Sequence, residues 1–187
     1  MEIEPRLLKG CVKGDRRAQS EMYRRCFGVL MGICMRYHKH EEDAIAALNL
    51  GFLKILKSLG KKKEDVPFEP WIRRIMINTI IDEFRKNKRH KETMEYVDFD
   101  DRNRNDAFID VNEADKRFDA EAIESIIQEL PPMSREVFNL FALDGFSHKE
   151  IAGMMDISEG TSKWHVSFAR KRIKEMLERT HKIAYRS

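Results

Sequence analysis

The sequence is short of everything that builds a disulfide scaffold, a membrane span or a sheet. It holds three cysteines in 187 residues, an odd number without a C-x-x-C pair, which argues against both a disulfide framework and a structural zinc site. Cys11, Cys26 and Cys34 fall in helix-like segments and read as core thiols of a reducing compartment. No run approaches the ~20 consecutive apolar residues of a membrane helix. The first residues, Met1 to Pro5, lack the basic and apolar regions of a secretion signal. A cytoplasmic protein without direct membrane insertion is therefore expected. Glycine and proline are scarce, 9 and 5, and apolar residues recur three or four apart rather than alternately, so the fold class is all-α. There is no internal repeat, glycine-rich phosphate loop or paired His/Cys ligand cluster, and no nucleophile with a positioned base. Enzyme chemistry is not expected, nor is a metal, a cofactor or a small-molecule substrate.

Charge is abundant but segregated. The net formal charge is only +3, yet residues 1–91 carry +9, residues 92–122 carry −7 and residues 123–187 carry +1. A segment as acidic as the middle one, with few large apolar residues, buries too little surface to offset the entropy of ordering. The expected organisation is two small helical domains, 1–91 and 123–187, joined by an acidic linker over 92–122. Within that linker only Val111 to Phe118 has the pattern of a turn or two of helix.

Two amphipathic helices are legible in the first domain. Ala18, Met22, Cys26, Val29, Ile33 and Tyr37 form one stripe behind an Asp15 N-cap. Ile45, Leu48, Phe52, Ile55, Leu56 and Leu59 form the next. After a loop from Gly60 to Glu69, Pro70 opens a third helix that is apolar on most of its circumference. That helix then turns basic, with Arg85, Lys86, Lys88, Arg89 and Lys91 in seven residues. Taken alone, this run fits a solvated helix end favoured by the macrodipole as well as it fits a phosphate-binding surface.

The second domain is punctuated more clearly. Pro131, Pro132 and Ser134 start a helix with Val137, Phe138, Phe141 and Ala142 as its buried stripe, and Gly145 closes it. Ser147 and Glu150 have the spacing of a capping box ahead of a short helix that buries Ile151, Ala152 and Met155. A tight turn follows at Met155 to Ile157, in which Asp156 takes the left-handed position. Ser158 caps a last helix held by Val166, Ala169, Ile173 and Leu177. This is the grammar of a helix-turn-helix. The last helix carries Thr161, Ser162, Lys163, Trp164, His165, Ser167 and Phe168 near its start, then Arg170, Lys171, Arg172 and Lys174. Polar and aromatic groups suit base edges, and the cations beyond them suit phosphates. His148 and His165 lack a partner at metal spacing and read as surface or DNA-facing groups.

The string from Leu130 to Leu177, with LPP-x-x-REVF, G-x-S-x-x-EIA and IS-x-GT-x-K before ARK, resembles the C-terminal promoter-reading domain of bacterial RNA polymerase sigma factors, in particular the extracytoplasmic-function (ECF) subgroup. The N-terminal segments GDRRA, EDA…GFLKIL and F-x-PWIRRI-x-IN-x-x-ID-x-FRK-x-KR resemble the partner domain in the same order. The resemblance implies that Asp43, Asn49, Phe52, Leu53 and Leu56 dock on core polymerase. It implies that Lys61, Lys62, Lys63, Phe68, Arg73, Arg74, Asn78, Arg85, Lys88 and Arg89 hold the single-stranded minus-ten element, where cations beside an aromatic suit an unstacked base. It further implies that Ser158, Thr161, Ser162, Lys163, Trp164, His165, Ser167, Phe168, Arg170, Lys171 and Arg172 read the minus-thirty-five element. Trp71 is expected in the core. The partners so implied are core RNA polymerase, promoter DNA and an anti-sigma factor, often membrane-anchored. Ala46 and Leu50 stand where acidic side chains are common in the docking helix, and Trp164, His165, Ser167 and Phe168 replace a more arginine-rich pattern. The other readings are a stand-alone helix-turn-helix regulator and a degenerate sigma-like interaction module.

Overall fold

A computed structural model describes residues 1, 3–92 and 120–184, with side chains omitted over 88–92, 120–122 and 180–184. The chain divides into two compact units, Met1–Lys91 and Glu92–Ser187. Every regular element among the described residues is helical. Residues 93–119 lie outside the described part, and with them most of the acidic span and the short helix expected at Val111 to Phe118.

In the first unit, α1 (Pro5–Val12) is followed by α2 (Arg16–Tyr37), α3 (Glu41–Ser58), a 3-10 turn at Leu59–Lys61 and α4 (Phe68–Glu92). Asp15 caps α2 as expected, its carboxylate accepting from the backbone N–H of Arg17 and Ala18 at 2.8 and 3.2 Å. Met22, Leu30 and Ile33 of α2, Leu48 and Ile55 of α3, and Ile72 and Met76 of α4 are almost completely buried. Each such side chain contributes roughly 1.5–3 kcal/mol of transfer free energy. Gly51 is buried where α3 meets α4, and a β-carbon there would run into the Met76 thioether. The three cysteines are buried thiols, as expected. Burial raises all three, Cys26 to about 11 and Cys34 to about 12, so they remain protonated and unreactive at neutral pH.

In the second unit, α5 (Ala120–Gln128) precedes α6 (Pro132–Phe138), α7 (His148–Met155) and α8 (Glu159–Ala184). The start of α5 at Ala120 falls inside the span read as linker. Ile126, Ile127 and Leu130 pack on Ala169, Ile173 and Leu177 of α8, so this helix is held by the far end of α8 rather than by local sequence. After Phe138 the chain widens into a π-helical turn, Asn139–Leu143, with the Asp144 N–H donating to the Asn139 carbonyl five residues back at 3.0 Å. The extra residue shifts the helical phase. Asn139 and Leu140 are buried, while Ala142, expected inside, is exposed.

Both expected signals around α7 are present. Ser147 and Glu150 form a reciprocal capping box, and Asp156 sits at φ 58°, ψ 51°. A left-handed aspartate is strained by the clash of its β-carbon with the backbone. Asp156→Gly is expected to stabilise this unit by about 0.5 kcal/mol, because the relief of strain exceeds the added unfolded-state entropy. Asp156→Val is expected to cost about 1–2 kcal/mol. Urea denaturation of the two variants tests the order, and a valine variant as stable as the glycine one would contradict it.

Candidate nucleic-acid interface

The helix-turn-helix presents α8 with one side in the core and the other in solvent. Ser162, His165, Val166, Ala169 and Ile173 face inward, with Ser162 and His165 at 0% and 8% exposure. Two of the residues expected to meet DNA are therefore structural. The His165 Nδ1 lies 2.9 Å from the Ser134 hydroxyl of α6, and the Ser162 hydroxyl lies 3.0 Å from Nδ1 of His148 on α7. Each serine–histidine pair satisfies polar atoms that burial would otherwise leave costly, and together they tie α8 to both α6 and α7. The partly buried His148 ring also stacks on Phe141, centroids 4.4 Å apart. Burial, and next the Lys163 charge, lower its pKa, against a weaker opposite effect of Glu159.

On the outward side, Lys163, Trp164, Lys171 and Arg172 are exposed, and Thr161, Ser167, Phe168 and Arg170 are half-buried. Ser158 is exposed, and its hydroxyl accepts from the Thr161 N–H at 3.0 Å, so it acts as the N-cap of α8. The Arg170 guanidinium stands over the Phe141 ring at 5.7 Å, a cation–π contact that fixes this cation close to the body of the unit. Two ionisable side chains of α6 are buried. Arg135 and Glu136 are 8% and 2% exposed, separated by 3.6 Å. The Glu136 carboxyl is pushed up to about 8 because burial outweighs the opposite pull of Arg135.

In the first unit, α4 turns Arg74, Asn78, Asp82 and Lys86 outward at intervals of four residues, in one exposed row. Arg85 is half-buried beside it, and the side chains of Lys88 and Arg89 lie outside the described ones. Lys86 was not singled out from the basic run, although the i, i+4 spacing from Arg74 through Asn78 points to it. Arg73 leaves the row. Its guanidinium donates to Glu69 at 2.7 and 3.0 Å. Asp82, the anion of this row, pairs with Lys54 of α3 at 3.3 Å.

Lys61 and Lys63 are exposed and Lys62 partly so, but the aromatic expected beside them is not available. Phe68 is 9% exposed, whereas Trp71, expected in the core, is half-buried. The two rings touch at 5.9 Å. Helical phase explains the exchange: Phe68 shares the inward stripe of Ile72 and Met76, and Trp71 lies a quarter turn away from Ile72.

The outward face of α3 is apolar. Leu53 is 54% exposed, Leu50 40% and Ile45 37%, with Asp43, Ala46 and Asn49 exposed among them and Leu56 half-buried. Asn49 accepts a hydrogen bond from the Tyr23 hydroxyl at 3.0 Å. Phe52, expected on this docking face, is buried, its ring edge-to-face with Tyr23 at 5.0 Å. Exposed large apolar side chains clustered on one face mark a contact surface.

Residues 22–90 match the family described as Sigma-70 region 2, and residues 120–173 the one described as Sigma-70, region 4. The ECF RNA polymerase sigma factor SigM of Mycobacterium tuberculosis is 26% identical over 171 residues, which cover 91% of this chain and 83% of that protein. RNA polymerase sigma factor SigZ of Bacillus subtilis is 31% identical over 146 residues, 75% of this chain and 77% of that protein. The sigma factor RpoE of Bartonella quintana, solved in complex with the anti-sigma factor NepR, aligns with a TM-score of 0.51 at 19% identity over 85% of this chain and 96% of its own, a likeness of fold. Sigma factors are generally non-catalytic initiation factors, and no described helix is long and apolar enough to cross a membrane. With regions 2 and 4 in order along one all-α chain, this protein belongs to the sigma-70 family as an ECF sigma factor, which directs promoter-specific transcription initiation with RNA polymerase.

Proposed function

We propose a division of this activity among three helical faces. The outward face of α3, with Asp43, Asn49 and Leu53 joined by Ile45 and Leu50, docks on core polymerase. The row Arg74, Asn78 and Lys86 of α4, with Arg85 and the loop cations Lys61 and Lys63, follows the single strand of the minus-ten element through its phosphates. The outward side of α8, with Thr161, Lys163, Trp164, Ser167, Phe168, Lys171 and Arg172, enters the major groove of the minus-thirty-five element. The observation that carries this reading is the polarity of α8. Its inward side is spent on the core and on two serine–histidine bonds, which leaves the exposed Lys163, Trp164 and Lys171 for DNA, with Arg172 shared with Glu175 at 3.0 Å. The domains are taken as 1–91 for docking and minus-ten recognition and 123–187 for minus-thirty-five recognition, joined by the acidic linker. The protein works in the cytoplasm without chemistry of its own, and an anti-sigma factor covers the α3 face until initiation is required.

Core polymerase, the full chain and the housekeeping sigma factor as competitor test this reading. A stoichiometric complex displaced by the competitor is expected. Initiation should fall about ten-fold for Lys171→Ala/Arg172→Ala and for Arg74→Ala/Lys86→Ala, each pair removing two phosphate contacts. Unchanged initiation and an unchanged salt dependence in both double variants would overturn the assignment of these faces.

A further inference from the structure

The centre of the outward side of α8 is occupied by an indole. Ser162, Val166, Ala169 and Ile173 define the buried side, and at 100° per residue Trp164, Ser167 and Lys171 fall opposite to it, with Phe168 next to Trp164. Trp164 remains 36% exposed, yet it is not loose. Its ring stacks on Phe168, centroids 5.3 Å apart and planes 19° from parallel, and makes a T-shaped contact with the His165 ring at 4.9 Å and 77°. His165 is buried and bonded to Ser134. The indole is thus held by two rings, one of them anchored to α6, and little conformational entropy remains to be lost on contact.

A rigid apolar plate at this position has one complementary chemistry in the major groove. The base edges there are polar donors and acceptors except for the C5-methyl group of thymine. An arginine or glutamine would form a bidentate bond with guanine or adenine, whereas an indole offers a single N–H donor and a broad apolar face. We propose that Trp164, supported by Phe168, is the specificity determinant of the upstream contact and selects thymine through its methyl group. This rests on the placement of α8 in the major groove given above and adds to it the base that is read. Lys163, Lys171 and Arg172 are left to position the helix on phosphates without contributing to sequence choice.

The test uses holoenzyme assembled from the full chain and core polymerase. Duplexes randomised across the upstream element are selected by binding, and each thymine in the selected element is then replaced singly by deoxyuridine, which removes only the methyl group. We expect enrichment of thymine at one or two positions and about a four-fold loss of affinity on demethylation there, the worth of one buried methyl group. With Trp164→Ala, thymine and uracil should bind alike. Selected elements without thymine would overturn the proposal. So would a wild-type protein indifferent to uracil, an arm that needs no variant to fold. Failure of the underlying placement is distinguishable. If uracil is neutral but Lys171→Ala still weakens upstream binding, α8 contacts the DNA and methyl recognition is wrong; if neither change matters, both readings fail.

Discussion

Phe52→Ala is expected to destabilise the N-terminal unit by about 3–5 kcal/mol, as removal of a buried aromatic does, whereas Leu53→Asp, one residue on, is expected to leave stability within about 0.5 kcal/mol and to weaken the complex with core polymerase by about 30-fold or more. The two residues are adjacent on α3 but 6% and 54% exposed. Deleting the Phe52 ring removes its edge-to-face contact with Tyr23 and opens a cavity in a unit of some 90 residues, whose total stability is on the order of 5–10 kcal/mol. Leu53 touches little in the free protein. Its value is realised only when a partner covers it, where a side chain at the hot centre of an interface carries about 2 kcal/mol; a carboxylate there adds the cost of burying an unpaired charge. Each unit contains a single tryptophan, Trp71 in the first and Trp164 in the second. Denaturation followed through Trp71 in a Trp164→Phe background therefore reports on the N-terminal unit, and competition against the housekeeping sigma factor reports on docking. A Phe52→Ala protein of normal stability with a docking defect would place Phe52 on the outside and contradict the packing described here.

The pair also marks how far the sequence can be read. Spacing and caps were sufficient for the helix-turn-helix. The Asp15 cap, the Ser147–Glu150 box and the left-handed Asp156 are local devices whose chemistry is written within four residues, and the family strings fixed the order of the two domains. What was not legible depends on tertiary neighbours. Ser162 and His165 are polar residues on a helix read from sequence as DNA-facing, and only Ser134 and His148, which lie 31 and 14 residues away, turn them into structural groups. Phe52 lies at the rim of the α3 apolar stripe, where Tyr23 of another helix decides that it is covered. The π-helical turn after Phe138 has no signature in composition, yet one extra residue in a turn moves Ala142 outside and Asn139 inside. Phe68 and Trp71 exchanged roles for a similar reason: Trp71 was expected in the core because an aromatic at a helix start usually packs, but the phase of α4, not ring type, sets which of the two is buried.

The second large effect should come from Glu136. Its carboxyl is pushed from an ordinary value of 4.5 up to about 8, so the folded C-terminal unit binds a proton that the unfolded chain has lost over that interval. A folded-state value above the unfolded one means that the Glu136 contribution to stability is fully present below pH ~4.5 and is lost as pH rises toward 8, at a slope approaching 1.4 kcal/mol per pH unit. His148 acts in the opposite sense. Its pKa is lowered, so its contribution is present above its ordinary value of 6.5 and lost as pH falls, and the two slopes oppose each other in the acidic range. Above pH 6.5 the Glu136 slope should stand alone. Denaturation followed through Trp164 in a Trp71→Phe background is therefore expected to show stability falling between pH 6.5 and 8. Glu136→Gln, which keeps the shape without the charge, should abolish that fall and make the unit more stable than wild type at pH 8 by about 2 kcal/mol, a figure reduced from the full linkage value because the new amide must find its own hydrogen bonds. The opposite result, a wild-type stability that is flat or rises over this range with a less stable glutamine variant, would mean that Arg135, 3.6 Å away, holds the carboxylate ionised. The consequence reaches the outward side of α8 proposed to read the promoter through geometry: α6 carries both Glu136 and Ser134, and Ser134 holds His165, whose ring makes a T-shaped contact with Trp164. Loosening α6 at alkaline pH should therefore weaken upstream recognition in wild type before it unfolds the unit, and the glutamine variant should keep that recognition to higher pH.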